Sequence, residues 1–269
     1  QAAWNHLLRT AAGLNSGLIG DADVSEQLES GLRAAEYAGV AGPRSAGLVR
    51  AVIETVGCLR QQTAWGRFTH RYTEVAMASL PQEVQSRLSH GRITVLGGST
   101  TAASLIEVLR QRYGTEPERI TVLYRGNRSG PLMNRFLAAV GPERLFRVED
   151  YHQANVLSGV ADADVAFLAG DHREAVVSGD DVVAARGGSP SPLDIVDFNA
   201  FGSIESTEHS ELRLYDAKSI SRSIVAFNHR TRSRPEFEAA LSEAEHWMAR
   251  HSGPSTSASN RPSPAEAFA

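Results

Sequence analysis

The chain has 269 residues, 42% of them hydrophobic, and is long enough for one large globular domain or two ordinary ones. Its formal net charge of -4 excludes an overall basic field, so charge-driven binding to nucleic acid would need a local basic face. The single cysteine, Cys58, excludes an internal disulfide and a multi-cysteine zinc site, and it is typical of a protein from a reducing cytoplasm.

Three further features of the composition limit the function. No apolar run reaches the roughly 18 residues of a membrane span, and no signal-peptide pattern is present. We therefore predict a cytoplasmic protein without membrane contact. We also predict that the protein holds no metal. Cys58 lies among apolar residues at helical spacing, which favours a packed thiol over a nucleophile. Lys218 is the one lysine among 27 basic residues, which indicates biased codon usage at least as well as phosphate contacts.

The first 85 residues are predicted to form a mostly helical domain. Apolar residues recur there at three- and four-residue intervals. The predicted helices cover Trp4–Ala12, Ser25–Ala38, Leu48–Gln62 and Arg71–Leu80. The polar segment Pro81–Gly91 is predicted to be a short helix and turn that forms a hinge between units.

From Arg92 the pattern changes to short β-branched runs that alternate with helices. Strands are predicted over Ile93–Leu96, Ile120–Tyr124, Leu145–Val148, Val165–Leu168, Ile195–Phe198 and Leu212–Tyr215. This alternation predicts an α/β fold with a Rossmann-like, doubly wound parallel sheet in a domain over residues 86–210. A long spinal helix, broken near Pro235, is predicted within 211–251, and a disordered tail over 252–269.

The loop after the first predicted strand has the layout of a dinucleotide-binding turn. It consists of Gly97, Gly98, Ser99, Thr100, Thr101 and Ala102. A full fingerprint has three glycines, and here the second reads Ser99 and the third Ala102. The loop predicts a diphosphate site at a helix N-terminus, where the Ser99 hydroxyl either intrudes on the phosphates or hydrogen-bonds to them.

The residues after the second predicted strand indicate which dinucleotide would bind. An acid at this place holds the adenosine ribose, whereas arginine accommodates a 2′-phosphate. The chain has Arg125, Asn127, Arg128 and Ser129 there, and no acid. This favours NADPH, although an arginine-rich turn without a ligand explains the same residues.

Polar residues in the first 30 positions are a second candidate site. His6 and Arg9 are three residues apart on one predicted helix face, where a surface histidine is the plainer interpretation. A polar cluster then surrounds three glycines and consists of Asn15, Ser16, Asp21, Asp23 and Gln27. A capped helix start explains the acids but leaves the glycines without a role.

The segment His6–Asp21 resembles the H-L-F-R-V-A-S-G-L-D-S-x-x-x-G-E segment of glutamyl-tRNA reductases. The resemblance continues in the same order over roughly residues 3–250. It includes Asn127-Arg128-Ser129, which is like the family's N-R-T, Asp197 in the position of its I-D-L, and Leu214-Tyr215-Asp216, which is like its L-Y-D.

The resemblance implies an NADPH-dependent reduction of tRNA-bound glutamate to glutamate-1-semialdehyde, at the start of tetrapyrrole synthesis. It makes residues 1–85 the helical part of a catalytic or substrate-recognition domain. It places His6 near the reactive thioester and Arg9 with the cluster of Ser16, Asp21, Asp23 and Gln27 at the glutamyl group. Gly97 to Ala102, with Arg125, Asn127, Arg128 and Ser129, would then hold the cofactor. Glutamyl-tRNA, a downstream aminomutase and a second copy docked through the spinal helix are the implied partners.

The chain also departs from that family. The family's nucleophilic cysteine precedes the histidine segment, and Cys58 corresponds to an ordinary helix position instead. The pocket run E-P-Q reads Asp21-Ala22-Asp23, and Thr69 and Arg71 replace cofactor-facing serines. A dimerisation bundle is not expected after the spinal helix. Two alternatives therefore stay open: a non-reducing relative that binds aminoacyl-tRNA or a partner protein, and an NADP-dependent dehydrogenase of a small molecule.

Overall fold

The computed structural model describes residues 2–124, 136–138, 141, 147–150, 152–170, 175–189, 191–205 and 208–251. Its helices are α1 Ala2–Ala11, α2 Asp23–Tyr37, α3 Pro43–Gln62, α4 Tyr72–Ala78, α5 Gln82–His90, α6 Thr100–Tyr113, α7 Gln153–Ala161, α8 Gly179–Arg186, α9 Ala217–Arg232 and α10 Pro235–Arg250. Its strands are β1 Ile93–Leu96, β2 Ile120–Tyr124, β3 Arg147–Asp150, β4 Val165–Leu168, β5 Val177–Ser178, β6 Leu193–Asp197, β7 Ile204–Glu205 and β8 Leu212–Tyr215.

The chain divides into two compact units. One comprises the residues up to Tyr72 together with those from Asn228 onward, and the other is Thr73–Phe227. The domain boundaries predicted from the sequence remain a prediction.

The first unit is helical and has an aromatic core. Helix α1 buries Trp4, Leu8 and Ala11, which recur at intervals of four and three residues. In the same core the rings of Phe68 and Phe237 meet edge to face, with centroids 5.4 Å apart. These contacts join the N-terminal helices of this unit to α10.

The second unit contains the predicted parallel sheet. Within the described residues its six strands have the order β3-β2-β1-β4-β6-β8, and every neighbouring pair is parallel. This is the 3-2-1-4-5-6 order of a doubly wound dinucleotide-binding sheet, so the predicted fold class is confirmed. The strand order reverses between β1 and β4, and ligands of such sheets bind beyond the carboxyl ends of those two strands.

The C-terminal helical segment is present but is split into two helices. Helix α9 ends at Arg232 and α10 begins at Pro235. Arg234 has an extended backbone because a residue before proline avoids the helical region, and Pro235 has no N–H to continue the hydrogen-bond ladder. The break expected near Pro235 is therefore present, whereas the predicted tail over 252–269 lies outside the described residues.

Over the ranges that the structure describes, no helix is both long enough and apolar enough to cross a membrane. A small second sheet, which was not predicted, pairs β5 with β7.

Candidate functional site

The glycine loop after β1 lies at the switch point of the sheet. Gly97 has φ +123°, and a Cβ added there would be 2.9 Å from the carbonyl carbon of Ala169. Ala169 directly follows β4, so the loops after the two central strands touch. Only glycine combines this backbone conformation with so close an approach, which accounts for the first residue of the predicted fingerprint.

The Ser99 hydroxyl forms two hydrogen bonds within the protein. As N-cap of α6 it accepts a hydrogen bond from the Ala102 amide at 3.2 Å, and it donates one to the Ala169 carbonyl oxygen at 2.7 Å. The amides of Thr100 and Thr101 have no acceptor among the described residues. The helix start therefore keeps two free amides for an anion, and Ser99 occupies the third.

Tyr124 occupies the carboxyl end of β2, where a dinucleotide fold holds the adenosine ribose. Its side chain is 4% exposed, and a Cβ added to Gly98 would be 2.1 Å from its Cε2 atom. The ring centroid of Phe136 lies 6.5 Å from that of Tyr124. Gly98 thus makes room for an aromatic ring of the protein itself, and burial raises the pKa of the Tyr124 phenol.

Sequence reasoning missed the role of Tyr124, although a large aromatic residue at the last position of a strand next to the glycine loop was a visible signal. The neighbouring predicted cofactor residues Arg125, Asn127, Arg128 and Ser129 lie outside the described residues.

Asp197 ends β6 at the same edge of the sheet, and it is almost fully buried. Its carboxylate accepts hydrogen bonds from the Asn199 amide at 2.9 Å and from the amide and the hydroxyl of Ser203 at 2.5 and 2.9 Å. Asp197 therefore fixes the loop that follows β6.

The predicted acidic cluster of the first unit forms around a tight loop. The Ser16 hydroxyl donates to Oδ2 of Asp21 at 2.9 Å, and the Asp23 amide donates to Oδ1 of Asp21 at 3.0 Å. Gly20 donates its amide to the Gly13 carbonyl oxygen at 3.1 Å. Both glycines have positive φ and closely approach neighbouring backbone, so the loop that carries Ser16 and Asp21 depends on them.

Asp23 is held by residues from a distant part of the sequence. Its carboxylate accepts from the Tyr72 amide at 3.1 Å and from Arg71 at 3.5 Å, and Arg71 also pairs with Glu26 at 2.7 Å. Desolvation by burial, followed by the charge of Asp21, raises the pKa of Asp23 to about 6. The cluster thus contains a carboxyl group that titrates close to neutral pH.

Arg60 adds a half-buried cation to this cluster. Its Nη2 donates to the carbonyl oxygens of Ala11 at 3.3 Å and Asp21 at 3.4 Å, while its Nε has no partner among the described residues. Burial of the Arg60 side chain lowers its pKa, and burial of the Asp21 carboxyl group raises the pKa of that group. Neither Arg60 nor Arg71 was predicted as part of this cluster, because their pairing with the acids depends on the tertiary fold.

The remaining predicted residues lie elsewhere in this unit. His6 is exposed on α1, and the 3.6-residue period puts it on the side opposite Trp4 and Leu8. Arg9 pairs with Glu245 at 2.9 Å. Gln27 lines a groove of about 460 Å³ between α2 and α3 whose other walls are mostly apolar. The structure therefore brings together Ser16, Asp21 and Asp23, while within the described residues His6, Arg9 and Gln27 form no hydrogen bond to them.

Replacing Asp23 with asparagine should change how stability depends on pH. The folded-state pKa near 6 exceeds the unfolded value near 3.8, so the native state binds the proton more tightly and wild-type stability falls as pH rises from 4 to 6. The shift corresponds to up to about 3 kcal/mol at 1.36 kcal/mol per pKa unit. Urea unfolding at pH 4 and pH 7 measures the loss of stability between these two pH values, and Asp23→Asn should show much less of it than the wild type. If the variant loses as much stability as the wild type, the raised pKa of Asp23 is wrong.

Comparison with curated proteins finds two relatives with the same name. No protein-family model matches the chain. It is 27% identical over 165 residues to glutamyl-tRNA reductase 2 of a Nocardioides species, covering 55% of this chain and 37% of that protein. It is 25% identical over 161 residues to glutamyl-tRNA reductase 2 of an Anaeromyxobacter species, covering 60% of this chain and 37% of that protein. The matched region thus spans little more than a third of each curated relative.

Solved structures give distant matches. Glutamyl-tRNA reductase from Methanopyrus kandleri matches with a TM-score of 0.45 and 19% identity, over 92% of this chain and 59% of that one. The nucleotide-binding domain of glutamyl-tRNA reductase from Thermoplasma volcanium matches with a TM-score of 0.40 and 12% identity, over 61% of this chain and 97% of that one.

Proposed function

We propose that this chain, which is a divergent relative of the glutamyl-tRNA reductases, reduces a tRNA-bound glutamate or related aminoacyl group to an aldehyde with NADPH. The product would be glutamate-1-semialdehyde or a similar aldehyde for tetrapyrrole synthesis. Glutamyl-tRNA is the proposed substrate in the cytoplasm, an aminomutase the proposed consumer of the aldehyde, and the C-terminal helical segment the proposed contact with a second copy.

The observation that carries the proposal is the glycine loop at the switch point of a 3-2-1-4-5-6 parallel sheet. The free amides of Thr100 and Thr101 open a 14-residue helix, and this combination suits a dinucleotide diphosphate. The residues at this end of the crevice therefore fit the cofactor. At the ribose end, the ring of Tyr124 lies where an acid would otherwise bind the sugar.

Each part of the chain has a separate task in this proposal. NADPH, when bound, supplies a hydride. The amides of Thr100 and Thr101 hold its diphosphate, and Gly97 lets the loops after β1 and β4 approach each other. In the other unit, the carboxylates of Asp21 and Asp23 attract the ammonium group of an aminoacyl ester, and Asp23 can exchange a proton near neutral pH.

Removing the Ser99 side chain is expected to tighten NADPH binding about fivefold, because it frees the Ala102 amide and opens the gap to Ala169. Isothermal titration of the wild type and Ser99→Gly with NADPH measures this change. Loss of the N-cap should cost only about 0.5 kcal/mol of unfolding free energy. Ser99→Ala is the matched control, because it removes the hydroxyl but keeps Cβ.

The titration also decides the proposed function. Weaker binding by Ser99→Gly than by the wild type would mean that the hydroxyl is itself a phosphate ligand. If none of these three proteins binds NADPH or NADH at millimolar concentration, the reductase proposal is wrong.

A second candidate function is a non-reducing relative that binds aminoacyl-tRNA or a partner protein. The observations that favour it are the hydroxyl bridge from Ser99 to Ala169 and the buried ring of Tyr124, which both occupy parts of the nucleotide crevice. Such a protein would bind glutamyl-tRNA with an affinity that falls with salt, and it would release no aldehyde in the presence of NADPH.

A further inference from the structure

Helix α9 and the two residues after it form the most basic continuous segment of the chain. Residues 217–234 contain no aspartate or glutamate, although the whole chain has a net charge of -4. The basic residues are Lys218, Arg222, His229, Arg230, Arg232 and Arg234, and all of them are exposed. The segment is therefore a local basic face on an otherwise acidic protein.

The helical period puts four of these side chains on one face. At 100° per residue, Lys218, Arg222, His229 and Arg232 fall within an arc of about 80°. The opposite face contains Ile220, Ile224 and Thr231, which are buried. At 1.5 Å per residue the basic face extends for about 21 Å along the helix.

The cations of this face also differ in their pairing from exposed arginines such as Arg33 and Arg112. Arg33 pairs with Glu29 and Arg112 pairs with Glu74, so those charges are neutralised locally. By contrast, within the ranges that the structure describes, Arg222 and Arg232 form no ion pair.

Along the sequence, acidic residues flank this helix at its two ends. Asp216 precedes α9, and its pKa is lowered first by its hydrogen bond from the Ser219 amide and then by Arg222 and Lys218. Glu236 and Glu238 follow in the first turn of α10. The middle of the face is left with positive charge that a polyanion can neutralise.

We infer that this face of α9 binds the phosphate backbone of structured RNA, an inference that rests on the proposed action on a tRNA-bound substrate. Guanidinium groups in a row suit phosphate oxygens, and their binding releases counterions from the nucleic acid. A membrane surface suits the helix less well, because an interfacial helix inserts large apolar residues into lipid. The large apolar residues Ile220 and Ile224 of α9 are buried in the protein, and Val225 is the large apolar residue left exposed.

The test measures binding of the full chain to deacylated total tRNA over a range of salt concentrations. Arg222→Gln/Arg232→Gln removes two charges from the face and keeps good helix formers. Arg33→Gln/Arg50→Gln is the control, because it changes the net charge equally but removes exposed arginines that are paired with Glu29 and Glu36. At 100 mM salt the α9 variant should bind about 10-fold more weakly, with a log–log salt slope smaller by about 2. The control should stay within about twofold of the wild type.

Equal losses in both double variants, or wild-type binding by the α9 variant, would overturn the inference. Binding of the wild type to phosphatidylserine vesicles but not to tRNA would also overturn it. Since this assay contains no cofactor, it is independent of the NADPH titration: tRNA binding through α9 without any NADPH binding would support this inference while it refutes the reductase proposal.

Discussion

Replacing Gly20 with alanine is expected to lower the free energy of unfolding by about 3 kcal/mol or more. Gly20 has φ +70°, and a Cβ there would be 1.8 Å from the carbonyl oxygen of Phe68. The contact is with backbone, so no side-chain rotation can relieve it. The substitution must push apart the loop before Asp21 and the segment before His70, which are joined by the hydrogen bond from the His70 amide to the Gly20 oxygen at 3.1 Å.

Urea unfolding followed by circular dichroism measures the effect of Gly20→Ala. Gly31→Ala is the matched control, because Gly31 lies exposed inside α2 with nothing within 4 Å of an added Cβ. That control should stabilise the protein by about 1 kcal/mol through helix propensity. A Gly20→Ala protein as stable as the wild type would show that the Gly20 and Phe68 backbones are not in contact, and the arrangement of the acidic cluster would then be wrong.

This close contact also answers a question that the sequence left open. Capping explained the acids near residue 21 but not the glycines around them. Gly13 and Gly20 are needed because the backbone of this loop packs against itself and against the backbone of Phe68 and Thr69, and that packing is not visible in a linear pattern. Gly17 has open space around an added Cβ, and nothing in the structure explains it.

The bounds of a strand could be predicted from the sequence where the strand is a short run of buried apolar residues. Strands β1, β2, β4 and β8 have the predicted bounds, because each is a short, largely apolar run that ends in a turn or polar segment. Strand β6 begins two residues earlier than predicted, at Leu193, because Asp194 is buried in the strand and neutralised by Arg87 at 2.8 Å and by Arg213. A charged residue inside a buried strand gives no hydrophobic signal, and the two-residue strands β5 and β7 are too short to show a period.

In the candidate sites, only contacts between residues that are close in sequence could be predicted. Ser16, Asp21 and Asp23 are close in sequence, and their hydrogen bonds follow from one loop. The pairing of Asp23 with Arg71 spans 48 residues, so no spacing rule points to it. Likewise, the contact of Gly98 with Tyr124 depends on the register that pairs Leu96 with Leu123. The residues after those two then lie side by side, which can be known only once the sheet is assembled.

The second large effect is expected for Tyr124→Ala, because the pairing of β1 with β2 places the Tyr124 ring against Gly98. Loss of the ring should empty the ribose end of the crevice and raise the affinity for NADPH at least about 10-fold, a gain of about 1.4 kcal/mol. Nicotinamide mononucleotide in its reduced form lacks the adenosine half, so its affinity should not change. Titration of both ligands into both proteins separates the opening of the ribose end from a general change in the crevice.

Tyr124→Phe is the control for this prediction, because it keeps the ring against Gly98 and removes only the phenol oxygen. It should bind NADPH as the wild type does if the volume of the ring limits binding. Tyr124→Ala leaves a cavity that should cost about 3 kcal/mol of stability, so Tyr124→Leu serves as a better-packed variant with the same expected direction. If both small variants bind NADPH more weakly than the wild type, the ring supports the adenine or the ribose. Tyr124 would then be part of the cofactor site, and Gly98 would be the glycine that positions it.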